Sequence, residues 1–366
     1  MKRTSKILAL LLLTCTCLGS VDAQANEFDW KVNEIKDFFV EDEAEERQLM
    51  NAMKDGSVHY VANTESHLKT KKDGFYTLFT RKIIGNTKIK KTEQFKGNFA
   101  KKYKNYFYTC DNIKAFDKST IAINYKIKKN VATLFIDEYN RKGKQLLKFT
   151  DKINLTKKYQ YLAIDDIMVK GDKIYYCYRE SSRPNKLYIR CINKKANKIK
   201  AQKISTITIP NNSSKKYMNA WDRVRLSEGY MYVMQDNVIN KYSLKGNLLE
   251  KYLLPEGETQ VWALNPSYAP MNTDESKYLS MTIKNFCVRN GKVFYCNRDG
   301  IYRLFKNKNS TLIYVSENDE FFGSDYGVAD ICAGDENTFY IMFDHVSKYA
   351  PCVVNWAYKL AKYTKK

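Results

Sequence analysis

One short block recurs along this chain: a polar turn followed by a strand rich in Tyr and Phe. It reads Lys170-Gly171-Asp172-Lys173-Ile174-Tyr175-Tyr176-Cys177 and returns as Arg289-Asn290-Gly291-Lys292-Val293-Phe294-Tyr295-Cys296. Looser copies are Ser227-Glu228-Gly229-Tyr230-Met231-Tyr232-Val233 and Gly334-Asp335-Glu336-Asn337-Thr338-Phe339-Tyr340-Ile341, with fainter ones at 105–109 and 130–135. A repeated supersecondary unit cannot bury its own faces, so it must stack on copies of itself.

An acid or amide stands at a constant distance ahead of each aromatic pair. Asp166, Asp222, Asn285 and Asp330 precede Tyr176, Tyr232, Tyr295 and Tyr340, and Asn124 and Asn98 keep the same offset from Leu134 and Tyr108. Around each marker runs a first strand, such as 162–169. A Gly-Asp or Asn-Gly turn then supplies the positive φ of a tight hairpin. The aromatic second strand suits a packed, pleated surface. A third strand follows, as at 186–192 or 300–305, then a weaker fourth, as at 198–204. From Asn124 onward the markers are 42, 56, 63 and 45 residues apart. Periods of roughly 40 to 50 residues with four strands each, the two longer ones carrying loop insertions, predict an all-β chain folded as a β-propeller of about six four-stranded blades, within a range of five to seven. The interval between Asn98 and Asn124 is too short for a blade. Residues 41–53 read as a helical turn or two connecting parts of the first blade. A β-sandwich rarely repeats one signature so often, and a solenoid has shorter, more even periods.

The blocks at 171–176 and 290–295 resemble blades of secreted bacterial propellers of the TolB-like and lipoprotein-receptor-like kind. The likeness covers roughly the last two thirds of the chain and lacks the Tyr-Trp-Thr-Asp signature of the receptor type. It implies binding or scaffolding more often than chemistry, and it carries no shared catalytic residues.

The first residues have the form of an export signal. Lys2, Arg3 and Lys6 precede an apolar run from Ile7 to Leu13, and Ala23-Gln24-Ala25 offers small residues for cleavage. This predicts a signal peptide over 1–25 and a single propeller domain over 26–366. The apolar run is too short to cross a bilayer, and no later segment is apolar enough. Leu12-Leu13-Thr14-Cys15 offers a rival site for lipid attachment, disfavoured by Thr14. The expected product is a monomer that is secreted, periplasmic or at the cell surface.

Lys and Arg number 62 against 40 Asp and Glu, a formal charge of +22. The cations are scattered rather than gathered in a stripe with aromatics, which argues against specific nucleic-acid binding. Attraction to acidic surfaces follows from the charge alone.

Cys15 and Cys17 leave with the signal. Cys177 and Cys191 flank a turn near Pro184 and are disulfide candidates in an exported chain. The repeat offers a second reading. Cys177 and Cys296 share a position held elsewhere by Val233 and Ile341, and Cys287 and Cys332 share one held by Met168 and Val224. Small buried apolar residues behave in that way. No Cys/His spacing suits a structural metal, and no motif calls for a cofactor.

The first strand of a propeller blade lines the central channel. Asp166, Asp222 and Asp330, with Asn124 and Asn285, therefore predict a polar ring that meets a cation or the polar end of a ligand. The alternative is that each bonds to backbone of its own or the next blade. A second candidate is the pair of long insertions bearing Trp221, Trp262 and Tyr268, whose rings stack on a sugar or peptide or else pack over the blade they leave. His59, His67 and His345 are the only histidines, and none sits in a nucleophile or metal motif. The expected function is that of an exported, non-catalytic binding or scaffold protein for a protein, peptide or glycan. The alternative is a carbohydrate-active hydrolase or lyase using Asp165, Asp166, Asp222 and Asp330 as acid and base.

Overall fold

The computed structural model describes residues 29–38, 45–47, 50–64, 77–97, 112–156, 162–180, 182–196, 198–209, 223–235, 237–255, 285–297, 299–317, 319–322, 326–345 and 357–366. They form six antiparallel sheets arranged as a six-bladed β-propeller. Blade 1 holds β2 (Glu45–Arg47), β3 (Asn51–Ala52), β4 (Val58–Thr64), β5 (Thr77–Ile84) and β6 (Ile89–Gly97). Blade 2 holds β7 (Asn112–Ala115), β8 (Ser119–Lys128), β9 (Val131–Asn140) and β10 (Gln145–Asn154). Blade 3 holds β11 (Leu162–Lys170), β12 (Lys173–Glu180), β13 (Arg183–Asn193) and β14 (Ala201–Thr208). Blade 4 holds β15 (Arg223–Ser227), β16 (Tyr230–Gln235), β17 (Val238–Ser243) and β18 (Leu248–Leu253). Blade 5 holds β19 (Phe286–Arg289), β20 (Lys292–Asn297), β21 (Gly300–Phe305) and β22 (Lys308–Val315). Blade 6 holds β23 (Tyr326–Ala333), β24 (Thr338–His345) and β25 (Ala357–Lys365), and its outermost strand is β1 (Trp30–Glu34) from the other end of the chain.

The recurrent turns behave as their residues require. Between β19 and β20, Asn290 and Gly291 have φ of 51° and 72°, the two consecutive positive values of a hairpin turn whose twist matches its strands. Glu228 and Gly229 repeat this between β15 and β16, with φ of 53° and 86°. The strands beyond the turns are apolar on both sides because both blade faces are buried. In β12, Tyr176 and Tyr178 enter the cluster shared with blade 2, while Cys177 enters the one shared with blade 4. Six such clusters fill the six interfaces between successive blades, including the one between blades 6 and 1.

Several expectations are corrected by register. Residues 45–47 and 51–52 are short strands of blade 1, not a helical turn, and both pair with β4. Asn124 lies on β8, the second strand of its blade, opposite Phe135 of β9. Its motif therefore falls one strand later than in the other blades, which explains the short interval before it. Cys177 stands opposite Ile189, and Cys191 opposite Tyr175, so the two sulfurs do not face each other and both cysteines are reduced. They are buried parts of the core. Blade 4 is one residue out of step with the marker count. Val224 does not share the position of Met168; Arg225 does, since each lies two residues before the end of its strand at the turn. A shift of one residue turns a side chain to the opposite face.

Trp30 fastens the closing strand. It packs on Tyr314 at 5.6 Å and Phe339 at 6.1 Å between ring centroids. Trp30→Ala is expected to lower unfolding free energy by about 3 kcal/mol, measured by urea denaturation, because a large buried ring leaves a cavity at the seam of the ring.

Candidate functional site

The axis of the propeller is built from the innermost strands, and their polar side chains meet there. Asp166 on β11 and Asp330 on β23 are each 1% exposed. Both follow a β-bulge, between Ile164 and Asp166 in one blade and Val328 and Asp330 in the other. An inserted residue bends the strand and re-aims the side chain that follows it.

The two carboxylates make the same kind of bond. Asp166 Oδ2 accepts from the backbone N–H of Leu226 in blade 4, at 2.8 Å. Asp330 Oδ2 accepts from the backbone N–H of Met50 in blade 1, at 2.7 Å. Each acid thus ties its blade to the next one round the ring. Each also faces a buried cation. Lys114 Nζ on β7 lies 2.9 and 3.1 Å from the two oxygens of Asp166. Arg225 on β15 donates to Asp330 and, at 3.2 Å, to the carbonyl of Ile331. Its guanidinium also lies 5.7 Å from the centre of the Phe286 ring. Burial works against the charge of Arg225, yet the Asp330 carboxylate, with Asp166 farther off, holds it above its ordinary pKa. The bulge residue Asp165 is taken by Arg179, whose Nε lies 3.0 and 3.1 Å from its two oxygens.

Amides extend the same stitching. Asn51 donates to the carbonyl of Ala115 at 2.7 Å, and Asn112 to that of Ile164 at 3.2 Å. Asn285 stands immediately before β19, buried, and its carbonyl accepts from Cys296 N at 2.9 Å. Asn124 is buried away from the innermost strand, on β8. The structure thus brings Asp166, Asp330 and Asn285 to the innermost strands and does not bring Asn124 there. Asp222, Trp221, Trp262 and Tyr268 lie outside the described residues. Sequence reasoning missed Lys114 and Arg225. One is a lysine among many, and the other was hidden by the one-residue offset of blade 4.

A second buried polar row crosses blade 1. Arg81, 0% exposed, donates to His59 Nδ1 from Nε at 3.0 Å and to Ser119 O at 3.0 Å. Arginine has no acceptor, so His59 Nδ1 carries a lone pair and its Nε2–H donates to Ser57 Oγ at 3.0 Å. Ser57 in turn donates to Asp55 at 2.6 Å. This order is wrong for a serine nucleophile, whose histidine must accept the hydroxyl proton. Burial first, then the charges of Arg81 and Arg141, lower the His59 pKa from 6.5 to about 4. Among the described residues no group of three or more His, Cys, Asp or Glu gathers to hold a metal ion. No helix there is long and apolar enough to cross a membrane.

No family model matches the chain. No curated protein matches it. Among solved structures it is similar to a mutant of an apocarotenoid oxygenase from Synechocystis, at 9% identity and a TM-score of 0.34, covering 90% of this chain and 63% of the oxygenase. It is similar to a neuraminidase-like protein of A/little yellow-shouldered bat/Guatemala, at 6% identity and a TM-score of 0.41, covering 92% of this chain and 96% of that one. It is also similar to the AfRom2 CNH domain, at 7% identity and a TM-score of 0.36, covering 91% and 98%. The chain spans under two thirds of the oxygenase's length.

Two outcomes follow from these side chains. Asp330→Asn removes the charge that faces buried Arg225 and is expected to cost about 3 to 5 kcal/mol in urea unfolding, whereas Arg225→Met with Asp330→Leu costs less than the single change. For His59 the folded pKa is depressed, so the unfolded chain binds the extra proton between pH 6.5 and about 4. Stability contributed by neutral His59 is complete above that window and falls as pH is lowered through it, by about 3 kcal/mol at most. Urea midpoints measured across the window are expected to fall less steeply in His59→Gln.

Proposed function

We propose that the chain is an exported, non-catalytic binding or scaffold protein. Residues 1–25 serve as its signal peptide, residues 26–366 form one propeller domain, and one face of that propeller takes a protein, peptide or glycan. The observation that carries this reading is the state of the axial carboxylates. Asp165, Asp166 and Asp330 face Arg179, Lys114 and Arg225, and the last two acids also hold backbone amides of the following blade. A glycosidase needs one carboxyl group free to carry a proton and a second free to act as base or nucleophile in an open pocket. Carboxylates already engaged as latches have their lone pairs committed to hydrogen bonds and ion pairs.

A propeller used this way offers a rigid scaffold with connections at its two faces, and recognition commonly resides in such connections. The test is an array of glycans and peptides probed with the mature protein, together with an assay for release of reducing sugar from every glycan that binds. Saturable binding without turnover is the expected result. Turnover that survives in the wild type and vanishes in Asp166→Asn or Asp330→Asn, with the fold intact, would show that the carboxylates act as reagents.

A further inference from the structure

Each of blades 1 to 5 presents two hairpin turns on the same face of the propeller: the turn between its first and second strands and the turn between its third and fourth. At the junction of blades 3 and 4 these turns enclose an open depression of about 480 Å³, lined by Lys170, Asp172, Lys173, Tyr175, Asn193, Lys195 and Leu244. This lies within the size range of small-ligand sites, roughly 300 to 1,000 Å³.

The depression is built, not incidental. Its floor is Tyr175 and Leu244, both half-buried against the cluster between blades 3 and 4. Tyr175 stands directly opposite the buried Cys191 across the ladder. The wall from blade 4 is fixed by Ser205, which donates to the Leu244 carbonyl at 2.7 Å. The two turns of blade 3 are tied together where Lys194 N donates to Asp172 O at 2.9 Å. Lys170 lies over the blade 4 turn, with its Nζ 2.5 Å from where a Cβ on Gly229 would stand. Gly229 has a φ of 86°, which favours glycine.

Its charge is unbalanced. Lys195 pairs with Asp172 at 2.8 Å. Lys170 and Lys173 have no carboxylate partner among the described residues. Two lysines without a carboxylate partner, an amide at Asn193 and an aromatic–aliphatic floor thus line one open space. The cations suit an anion, the amide suits a hydroxyl, and the faces of Tyr175 and Leu244 suit the C–H face of a sugar ring.

We propose that this depression binds an anionic saccharide unit, a sugar ring that carries phosphate or carboxylate. The proposal places one site on the turn face and does not depend on which face takes a macromolecular partner. Asp172 acts within it as a counter-charge that holds Lys195 back from the ligand. Its loss therefore strengthens binding, which a purely structural role for these turns does not predict.

The test is calorimetric titration of the full mature protein at low ionic strength with glucose 6-phosphate, glucuronate, inorganic phosphate and glucose. Both sugar anions are expected to bind saturably at one site, more tightly than inorganic phosphate, with no heat from glucose; the tighter of the two identifies the charged group. Lys170→Ala with Lys173→Ala is expected to weaken binding about tenfold or more, and Asp172→Asn to tighten it. Lys148→Ala with Lys152→Ala removes the same charge from the exposed outer strand of blade 2 and is expected to leave affinity unchanged. Equal loss in both lysine pairs would reduce the effect to net charge and overturn the site, as would binding of glucose as tight as that of the anions, or no saturable binding of either sugar anion.

Discussion

A four-stranded blade has two faces to bury, and six such sheets bury all of them only if the ring closes. That constraint accounts for most of what the chain does. It explains why alternate residues of one strand serve different neighbours, as Tyr176 and Cys177 do. It explains why the N-terminal strand crosses to pair with the C-terminal one, from Trp30 opposite Lys365 to Glu34 opposite Ala361. It also explains why large side chains such as Tyr60, Tyr232, Phe294 and Phe339 are almost wholly buried, since wedge-shaped gaps between splayed sheets need volume to fill them.

Apolar packing is non-directional and does not by itself fix how one blade sits against the next. At the axis, where the blades converge, directional bonds do so. Asp166 and Asp330 reach backbone amides of the following blade, and Lys114 and Arg225 supply the charge that makes a buried carboxylate tolerable. On the turn face, Glu228 accepts from Asn290 N and Gly291 N at 2.5 and 2.7 Å, and Lys54 N donates to Asp117 at 2.7 Å. Asp166 and Asp330, which look like part of a reactive ring when read along the chain, are occupied in holding it together.

The blades were legible because their turns are chemically constrained. Asn290-Gly291 and Gly171-Asp172 can hardly be anything but hairpin turns, and the aromatic strands after them are placed by the turn. Asp166 and Asp330 were legible as inner-strand acids for the same reason. Their partners were not. Counting from the aromatic pair aligns Val224 with Met168, while the ladder aligns Arg225, and nothing in the letters reveals which of the two counts the backbone obeys. Lys114 belongs to the four-residue strand β7, which carries no copy of the block, in a chain with 62 Lys and Arg. Bulges at Asp165 and Ala329 are likewise settled by packing between blades, not by local preference.

The central claim is that the axial acids act as latches between blades. Amide hydrogen exchange at Leu226 and Met50 tests it most directly, because those two N–H groups are held by a carboxylate of the preceding blade. If the latches are closed in the native state, both amides exchange as slowly as the ladder amides of the innermost strands. Exchange as fast as that of the exposed turn at 141–143 would show that the carboxylates are not engaged, and the axial account would fall.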